Sequence, residues 1–488
     1  MEGTIVLYPL MSIGHLVSMV ELAKLIFRQY HQRLSVTILI TSGPVVSPNA
    51  TAYLSRVSET IPFITFHHLP SVTIASSIEP SFNRSRAAIL SELVRLNNPN
   101  LLHTLHTMSK TSTIRALVMD IFCAPAASIV SSDLGIPTYC YNPAGTIFLS
   151  FLLYLPTIHH QTTKSFKDLA MTHLDFPGLP PILATHMPAS ALNREEQGYH
   201  WILEISSSLR KSKGIIVNTF ESLESRAIKA ITDGLCIPDA PTPPVYCIGP
   251  LISSPINHTV EGESVNQIHQ CLSWLDAQPN QSVVFLCFGS GGVFSTAQVR
   301  EIAVGLEKSG QRFLWVLRKP LSEDNNKHFS VEQGDPDLDV LLPEGFLDRT
   351  QDRGLVVKVW APQVEVLSRE SVSGFVTHCG WNSVLEAVCA GVPMVAWPLY
   401  AEQHMNRAVL VEEMKLAMPM EESEDGLVSA MEIEKRVRAL IESEEGRVFR
   451  ERSRKMKKEA MAAWSEGGSA LLAFTKLVDS WISPCQLG

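Results

Sequence analysis

A histidine and an aspartate each stand just past a short apolar run of this sequence. His15 follows the run Ile5–Tyr8 by way of Pro9, and Asp120 directly follows the run Arg115–Met119. A helix N-terminus lowers the pKa of an imidazole and keeps it neutral, as a general base requires, and a nearby carboxylate orients the ring. The pair predicts a catalytic base at His15 that Asp120 supports. The alternative is a loop histidine satisfied by ordinary hydrogen bonds.

The elements that must position this pair have the pattern of a doubly wound parallel sheet. Apolar runs alternate with helical or loop segments, as is typical of parallel α/β folds. The first four runs are Ile5–Tyr8, Ser35–Ile40, Pro62–His67 and Arg115–Met119. In the common strand order 3-2-1-4-5, the first and fourth strands are neighbours and ligands bind beyond their carboxyl ends. This order predicts that His15 and Asp120 lie close together.

A second stretch, Trp360–Gln403, begins with residues that suit a flat base. The indole of Trp360 can stack on the base, while the backbone of Ala361 and the amide of Gln363 can reach its edge. A core tryptophan is the alternative. Pro362 weighs against that alternative because it favours a turn at the end of a strand.

The middle of this stretch predicts an anion site. It contains His378, Trp381, Asn382 and Ser383. These residues follow a predicted strand, Gly374–Thr377, and open a helix predicted from Ser383 to about Cys389. Unpaired N–H groups at a helix start bind phosphate, and neighbouring polar side chains add donors. The loop Gly289–Gly292, which includes Ser290, is a weaker candidate of the same kind, with a glycine turn of no function as its alternative.

Three acidic or amide residues complete the stretch. Ser383 and Glu386 have the spacing of a capping box, so Glu386 has a purely structural interpretation. Glu402 and Gln403 follow a further strand end. A carboxylate beside an amide suits the hydroxyl groups of a hexose, since together they accept and donate hydrogen bonds.

The whole stretch resembles, without a gap, the segment by which plant family 1 UDP-glycosyltransferases hold a UDP-sugar. The segments G-I-I-V-N-T-F, S-V-V-F-L-C-F-G-S and A-E-Q are most similar to the branch that glucosylates flavonoids, chalcones and related phenolics. The resemblance implies the GT-B fold, in which two Rossmann-like, doubly wound parallel-sheet domains face a cleft. It also implies that the first domain binds the acceptor and the second binds UDP-glucose.

The resemblance assigns the acceptor side of the reaction to the first domain. His15 would remove the proton of the acceptor hydroxyl group, and Asp120 would stabilise the resulting charge. Phe122, Phe151 and Leu192 lie where family members line a flat aromatic site, although ordinary core packing explains each of them equally well.

The resemblance assigns the donor side to the second domain. Uracil would bind at Trp360, Ser290 would contact the phosphates, and Glu386 would bind the ribose hydroxyl groups instead of capping a helix. Gln403 would favour glucose. Trp381 agrees with a neutral hexose, because no arginine is supplied for a uronate.

The expected reaction is an inverting, metal-independent transfer of glucose from UDP-glucose to a phenolic hydroxyl group, giving a β-glucoside, with no cofactor. Two alternatives stay open: C-glycosylation of the same phenolics, and a catalytically silent protein that binds phenolics or UDP-sugars. A dinucleotide-dependent oxidoreductase is disfavoured, because neither glycine loop has the G-x-G-x-x-G pattern.

The bulk composition sets the remaining expectations. A chain of 488 residues with 45% hydrophobic residues favours two domains, and a net charge of −9 disfavours nucleic-acid binding. We expect an acceptor domain at 1–245, a linker at 246–268, a donor domain at 269–460 and a C-terminal helix at 461–488 that packs back towards the first domain. A cytoplasmic monomer is expected. No membrane span is expected either, since no apolar run is long enough to cross a bilayer.

One segment imitates a metal site. Asp335, Asp337 and Asp339 give the D-x-D pattern of metal-dependent sugar transferases, but they lie in a polar insertion, Ser322–Leu341, and not at an evident strand end. We interpret them as part of a solvated loop and predict no metal.

Overall fold

The structure, a computed structural model, describes residues 3–42, 48–73, 85–253, 263–320 and 334–482. By internal contacts the chain divides into two compact units. The first comprises Met1–Ile252 together with Ala462–Gly488, and the second comprises Ser253–Met461.

The first unit is built on a parallel sheet. Its strands are β1 (Gly3–Tyr8), β2 (Leu34–Ile40), β3 (Ile64–His68), β4 (Ile114–Asp120), β5 (Thr138–Asn142), β6 (His173–Leu174), β7 (Ile182–Leu183), β8 (Ile215–Val217) and β9 (Val245–Cys247). Its helices before the second unit are α1 (Ile13–Tyr30), α2 (Pro48–Thr60), α3 (Arg86–Ser109), α4 (Ala127–Leu134), α5 (Thr146–Gln161), α6 (Gln197–Leu209) and α7 (Ser225–Thr232). Seven strands pair in parallel in the order β3-β2-β1-β4-β5-β8-β9, while β6 and β7 form a separate antiparallel pair.

The second unit repeats the architecture. Its strands are β10 (Val283–Cys287), β11 (Arg312–Leu317), β12 (Gly354–Lys358), β13 (Val372–Thr377), β14 (Met394–Ala396) and β15 (Ala417–Pro419). Its helices are α8 (Glu263–Asp276), α9 (Thr296–Ser309), α10 (Leu338–Leu341), α11 (Phe346–Thr350), α12 (Gln363–Leu367), α13 (Trp381–Ala390), α14 (Gln403–Glu412), α15 (Ala430–Glu442) and α16 (Glu444–Ala463). The six strands pair in parallel in the order β12-β11-β10-β13-β14-β15.

The predicted fold class is confirmed in both units. Strands such as β1 and β13 are buried along their whole length, as parallel strands covered on both faces must be. The expected adjacency of the first and fourth strands is present as β1 beside β4, and β10 beside β13 repeats it. Ser295 caps α9 as predicted, because its hydroxyl oxygen accepts from the backbone N–H of Gln298.

The final helix, α17 (Ser469–Ile482), packs in the first unit. It follows α16 after a short turn. The Ser480 hydroxyl lies 3.0 Å from the Tyr139 hydroxyl, and the Trp481 ring meets the edge of the Tyr139 ring.

The segment expected to be a linker, 246–268, has regular structure at both of its ends. Cys247 ends β9 in the first sheet, and α8 begins at Glu263. Residues 254–262 lie outside the described residues, as do residues 321–333 of the polar insertion. Among the described helices, none combines the length and hydrophobicity that a membrane span needs.

Candidate active site

His15 and Asp120 form a hydrogen bond at the carboxyl edge of the first sheet. His15 lies in the first turn of α1, and Asp120 ends β4 beside β1. The distance from His15 Nδ1 to Asp120 Oδ2 is 2.7 Å, with the aspartate fully buried and the histidine side chain 23% exposed. A carboxylate in this place favours the tautomer that donates from Nδ1 and keeps the lone pair on Nε2. The pair can therefore accept a proton from a hydroxyl group.

The second oxygen of Asp120 is also held. Asp120 caps the short 3-10 helix Ile121–Ala126, and its Oδ1 accepts from the backbone N–H of Phe122 at 3.0 Å. Oδ1 thus has a backbone donor and Oδ2 has His15, so the backbone hydrogen bond fixes the orientation in which the carboxylate meets the imidazole.

A row of aromatic rings continues from the histidine. The ring of Phe122 lies 5.5 Å from that of His15, and its other neighbours are Trp201 at 5.4 Å and Phe148 at 6.1 Å. Phe148 and Trp201 are buried and support the half-buried Phe122, so this aromatic wall presents mainly the Phe122 ring to a flat aromatic ligand. Phe148 and Trp201 were missed in the sequence, because nothing in it indicates that α5 and α6, which carry them, pack beside Phe122.

The other two predicted acceptor residues lie differently. Phe151 is fully buried behind Phe148, where it also meets the edge of Phe176. Core packing accounts for all of these contacts. Leu192 is half-buried at the end of the 3-10 turn Ala189–Ala191, and its carbonyl accepts from the N–H of Lys167.

In the second unit, four turns carry the predicted donor residues. Each of these turns follows a strand, and each contains a residue with left-handed backbone: Gly289 (φ 71°), Val359 (φ 64°), Cys379 (φ 65°) and Ala401 (φ 55°). For a residue other than glycine this conformation costs roughly 1–3 kcal/mol and persists where the surroundings impose it. Such strain is often found at binding sites, although Gln281 and Lys415, which precede β10 and β15, also have left-handed backbone.

Two of these turns meet around His378. An added Cβ at Gly289 or at Gly380 would lie 2.4 Å from His378 Nε2, so neither position tolerates a side chain in the present arrangement. Burial lowers the pKa of His378 to about 4. The imidazole is thus neutral near pH 7 and offers a hydrogen bond instead of a positive charge.

The helix that follows begins earlier than predicted, at Trp381 with Gly380 as its N-cap. The expected start at Ser383 was wrong, because Trp381 and Asn382 already have helical backbone. Ser383 is consequently inside the helix, and the capping-box interpretation of Glu386 is wrong as well. The N–H groups of the first turn of this helix lie beside His378 in the chain, as a diphosphate site requires.

Glu386 instead belongs to a polar cluster with Gln363. The Gln363 amide nitrogen donates to Ser383 Oγ at 2.8 Å and to Glu386 Oε2 at 2.6 Å. Burial raises the pKa of Glu386 to about 7, although the hydrogen bond from Gln363 opposes the shift. A carboxyl group in this environment can accept hydrogen bonds from a pair of ligand hydroxyl groups.

Trp360 is 48% exposed at the end of β12, which excludes the core alternative considered for it. Its neighbour Ala361 is buried. An exposed indole beside a strained turn is available for stacking on a flat base.

The last turn is held by Gln403. The Gln403 side-chain oxygen accepts from the backbone N–H groups of Leu399 and Tyr400, at 2.8 and 2.9 Å. This leaves its amide N–H groups as the part of the side chain able to meet a sugar hydroxyl. Glu402, half-buried, is the N-cap of α14. Tyr400 was missed in the sequence; its ring lies 6.1 Å from that of His378.

Ser290 is exposed in the turn after β10.

Of the D-x-D residues, Asp337 caps α10 by accepting from the N–H of Asp339, and all three aspartates are exposed. Within the described ranges, no group of three His, Cys, Asp or Glu side chains could hold a metal ion.

Comparison with known proteins identifies the family. Residues 264–448 match the family described as "UDP-glucoronosyl and UDP-glucosyl transferase". The chain is 50% identical over 488 residues to phloretin 2'-O-glucosyltransferase of Malus domestica, covering 98% of this chain and 100% of the relative. It is 48% identical to anthocyanidin 5,3-O-glucosyltransferase of a Rosa hybrid cultivar, covering 98% of each. The chain belongs to the UDP-glycosyltransferase family.

A solved structure of this family supports the fold assignment. Phytolacca americana UGT2, complexed with UDP-2-fluoro-glucose and pterostilbene, matches with a TM-score of 0.85 at 34% identity, covering 99% of this chain and 100% of that one. The chain is therefore a UDP-glycosyltransferase of the GT-B fold.

Proposed function

We propose that this UDP-glycosyltransferase transfers glucose from UDP-glucose to a phenolic hydroxyl group, with inversion and without a metal ion. The observation that carries the proposal is the 2.7 Å hydrogen bond between His15 and buried Asp120, next to the Phe122 ring. This pair offers a base for a hydroxyl proton, and the aromatic wall offers a surface for the ring that bears the hydroxyl group.

In the proposed reaction, His15 Nε2 takes the proton of the phenol. The phenolic oxygen forms a bond to the anomeric carbon of glucose, and the bond from that carbon to the diphosphate breaks, with its electron pair leaving on UDP. Asp120 stabilises the imidazolium that forms. A single displacement on an α-linked donor gives a β-glucoside.

The donor residues of the second unit suit the charge that grows on UDP. The N–H groups at the start of α13 carry partial positive charge, and the neutral imidazole of His378 can donate a hydrogen bond. Trp360 would stack on uracil, Ser290 would contact the phosphates, and Glu386 would accept from the ribose. Asn382 would add a phosphate donor.

The acceptor class rests on the relatives and on the aromatic wall. Phloretin and anthocyanidins are named for the two curated relatives, and pterostilbene is bound in the solved structure. All are phenols with flat rings, which matches the row of Phe122, Phe148 and Trp201.

The preference for glucose rests on Glu402 and Gln403. Cytosolic location and a monomeric state stay predictions.

The deciding experiment is incubation of the protein with UDP-glucose and phloretin, an anthocyanidin or pterostilbene, with and without EDTA, followed by mass spectrometry. We expect a product with one added hexose, in equal yield with the chelator, and an anomeric proton coupling typical of a β-linkage. Acid hydrolysis should release the sugar, since an O-glucoside is cleaved and a C-glucoside is not. Failure to glycosylate any phenol while UDP still binds would indicate a binding protein.

A further inference from the structure

A buried asparagine connects two of the donor turns. Asn406 lies one turn into α14 and is completely inaccessible to solvent. Its side-chain Nδ2 donates to the carbonyl oxygen of Cys379 at 2.9 Å. Cys379 lies between His378 and Gly380, the N-cap of α13. The hydrogen bond thus joins the helix that starts at Gln403 to the turn expected to hold the diphosphate.

The acceptor of this bond belongs to a strained residue. Cys379 has a φ of 65°, and its local contacts are with Thr377: its N–H donates to Thr377 Oγ1 at 3.3 Å, and its thiol lies 3.7 Å from the Thr377 carbonyl oxygen. Both contacts come from within the turn. The bond from Asn406 comes from another element, and it fixes the plane of the peptide that links Cys379 to Gly380.

We propose that Asn406 is a positioning residue for the diphosphate of the donor. By holding the Cys379 carbonyl, it keeps the turn in its left-handed conformation, and so keeps His378 and the N–H groups at the start of α13 in a fixed arrangement. Because α14 also begins with Gln403, the same residue ties the turn for the hexose to the turn for the diphosphate. This inference rests on the proposed donor site.

A matched control exists in the first unit. Asn97 is also completely buried, its Nδ2 also donates to a backbone carbonyl oxygen, that of Leu93, at 2.9 Å, and its Oδ1 is unpartnered like that of Asn406. Replacing either asparagine with leucine keeps the size and shape of the side chain and removes one buried hydrogen bond. Both variants therefore lose one buried side-chain hydrogen bond, that of Asn97 within α3 and that of Asn406 between two elements.

The test compares UDP with uridine, which lacks the diphosphate. For Asn406→Leu we expect the Kd for UDP to rise roughly 3- to 10-fold, the size that one net hydrogen bond supports. The Kd for uridine should not change, because the uracil residues lie on the turn after β12 and Glu386, for the ribose, lies in the second turn of α13, beyond the N–H groups that the bond positions. Asn97→Leu should change neither value. Calorimetry measures UDP, and ligand-observed NMR titration measures uridine.

Each outcome is decisive. Equal losses for UDP and uridine, no loss for UDP, or the same loss in Asn97→Leu would overturn the role of Asn406. Absence of UDP binding by the unmodified protein would instead refute the proposed donor site. If Asn406→Leu fails to fold, Asn406→Ser replaces it, since serine is too short to reach the carbonyl and the same selective loss is expected.

Discussion

The two carboxyl edges that carry the candidate acceptor and donor residues differ in how they are built. At the edge of the first sheet, the groups that meet are side chains, His15 and Asp120, and no residue in the segments 9–16 and 119–126 has a positive φ. At the edge of the second sheet, the turns themselves are unusual, since Val359, Cys379 and Ala401 all have left-handed backbone. The chemistry of the first edge depends on side-chain identity, and that of the second depends on backbone conformation.

This difference predicts that substitutions at the two edges affect different properties of the enzyme. A substitution at the first edge should remove a reacting group and leave donor affinity intact. A substitution at the second edge should alter the shape of a turn and weaken UDP binding before it affects chemistry. The following changes test that separation, from the largest expected effect to the smallest.

His15→Ala removes the base. We expect the rate of glucosylation to fall by about 10²–10⁴-fold, the usual contribution of a positioned general base, while the Kd for UDP stays the same. Initial rates with a phenolic acceptor and calorimetry with UDP measure the two quantities. A variant that keeps near-normal turnover would show that the hydrogen bond to Asp120 serves structure alone.

His378 should make the stability of the protein depend on pH. Its pKa is about 4 in the folded protein against an ordinary value near 6.5, so the unfolded chain binds a proton that the folded protein does not. Stability from this group is present above pH 6.5 and is lost as pH falls towards 4, by at most about 3 kcal/mol.

Urea unfolding of the unmodified protein and of His378→Asn measures this dependence. The difference in unfolding free energy between them should shift in favour of the variant as the pH falls from 7 to 5. Glu386, whose pKa is raised to about 7, favours folding at lower pH, but it is present in both proteins and cancels. A difference independent of pH would mean that His378 has the same pKa in the folded protein as in the unfolded chain.

Gly380→Ala tests the space beside His378. The added methyl group would lie 2.4 Å from Nε2, so the ring must move, and we expect UDP affinity to fall roughly 10-fold, as for an overpacked site. Gly334→Ala is the control, because a Cβ there meets nothing within 4 Å. Calorimetry measures the Kd for UDP of both variants. Equal values would refute the close contact between position 380 and the His378 ring.

Val359→Gly relieves strain at the turn before Trp360. Glycine adopts a φ of 64° without a steric cost, and we expect a gain of about 1 kcal/mol in unfolding free energy after the entropic cost of glycine. The freer turn should also bind uridine slightly more weakly. A loss of stability in thermal unfolding would show that the side chain of Val359 contributes more than its backbone costs.

The sequence predicted the sheets because long apolar runs and their alternation with helices are local features. It placed His15 beside Asp120 because the topology of parallel sheets is restrictive. It could not place Phe148 and Trp201, since their position depends on how α5 and α6 pack. It misplaced the start of α13, because the left-handed turn at Cys379 is imposed by contacts such as that from Asn406, and a cysteine gives no local signal for it.

Some short strands were also not predicted from the sequence. The runs that form β5, β9 and β15 are brief, and each is stabilised by pairing with a neighbour instead of by its own pattern. The three residues of the polar cluster after β12 and β13 were each predicted, but their contact was not: the amide of Gln363 reaches Ser383 and Glu386 across two turns, and spacing along the chain does not encode that distance.

The return of α17 to the first unit has a consequence for the order of synthesis. The helix that packs against β9 and Tyr139 is made after the whole second unit. On the ribosome, the first unit must wait with this face uncovered while more than 200 residues emerge, a count that the span Ser253–Met461 sets. Domains usually fold as they leave the ribosome, so this chain exposes apolar surface to chaperones for longer than two consecutive domains would.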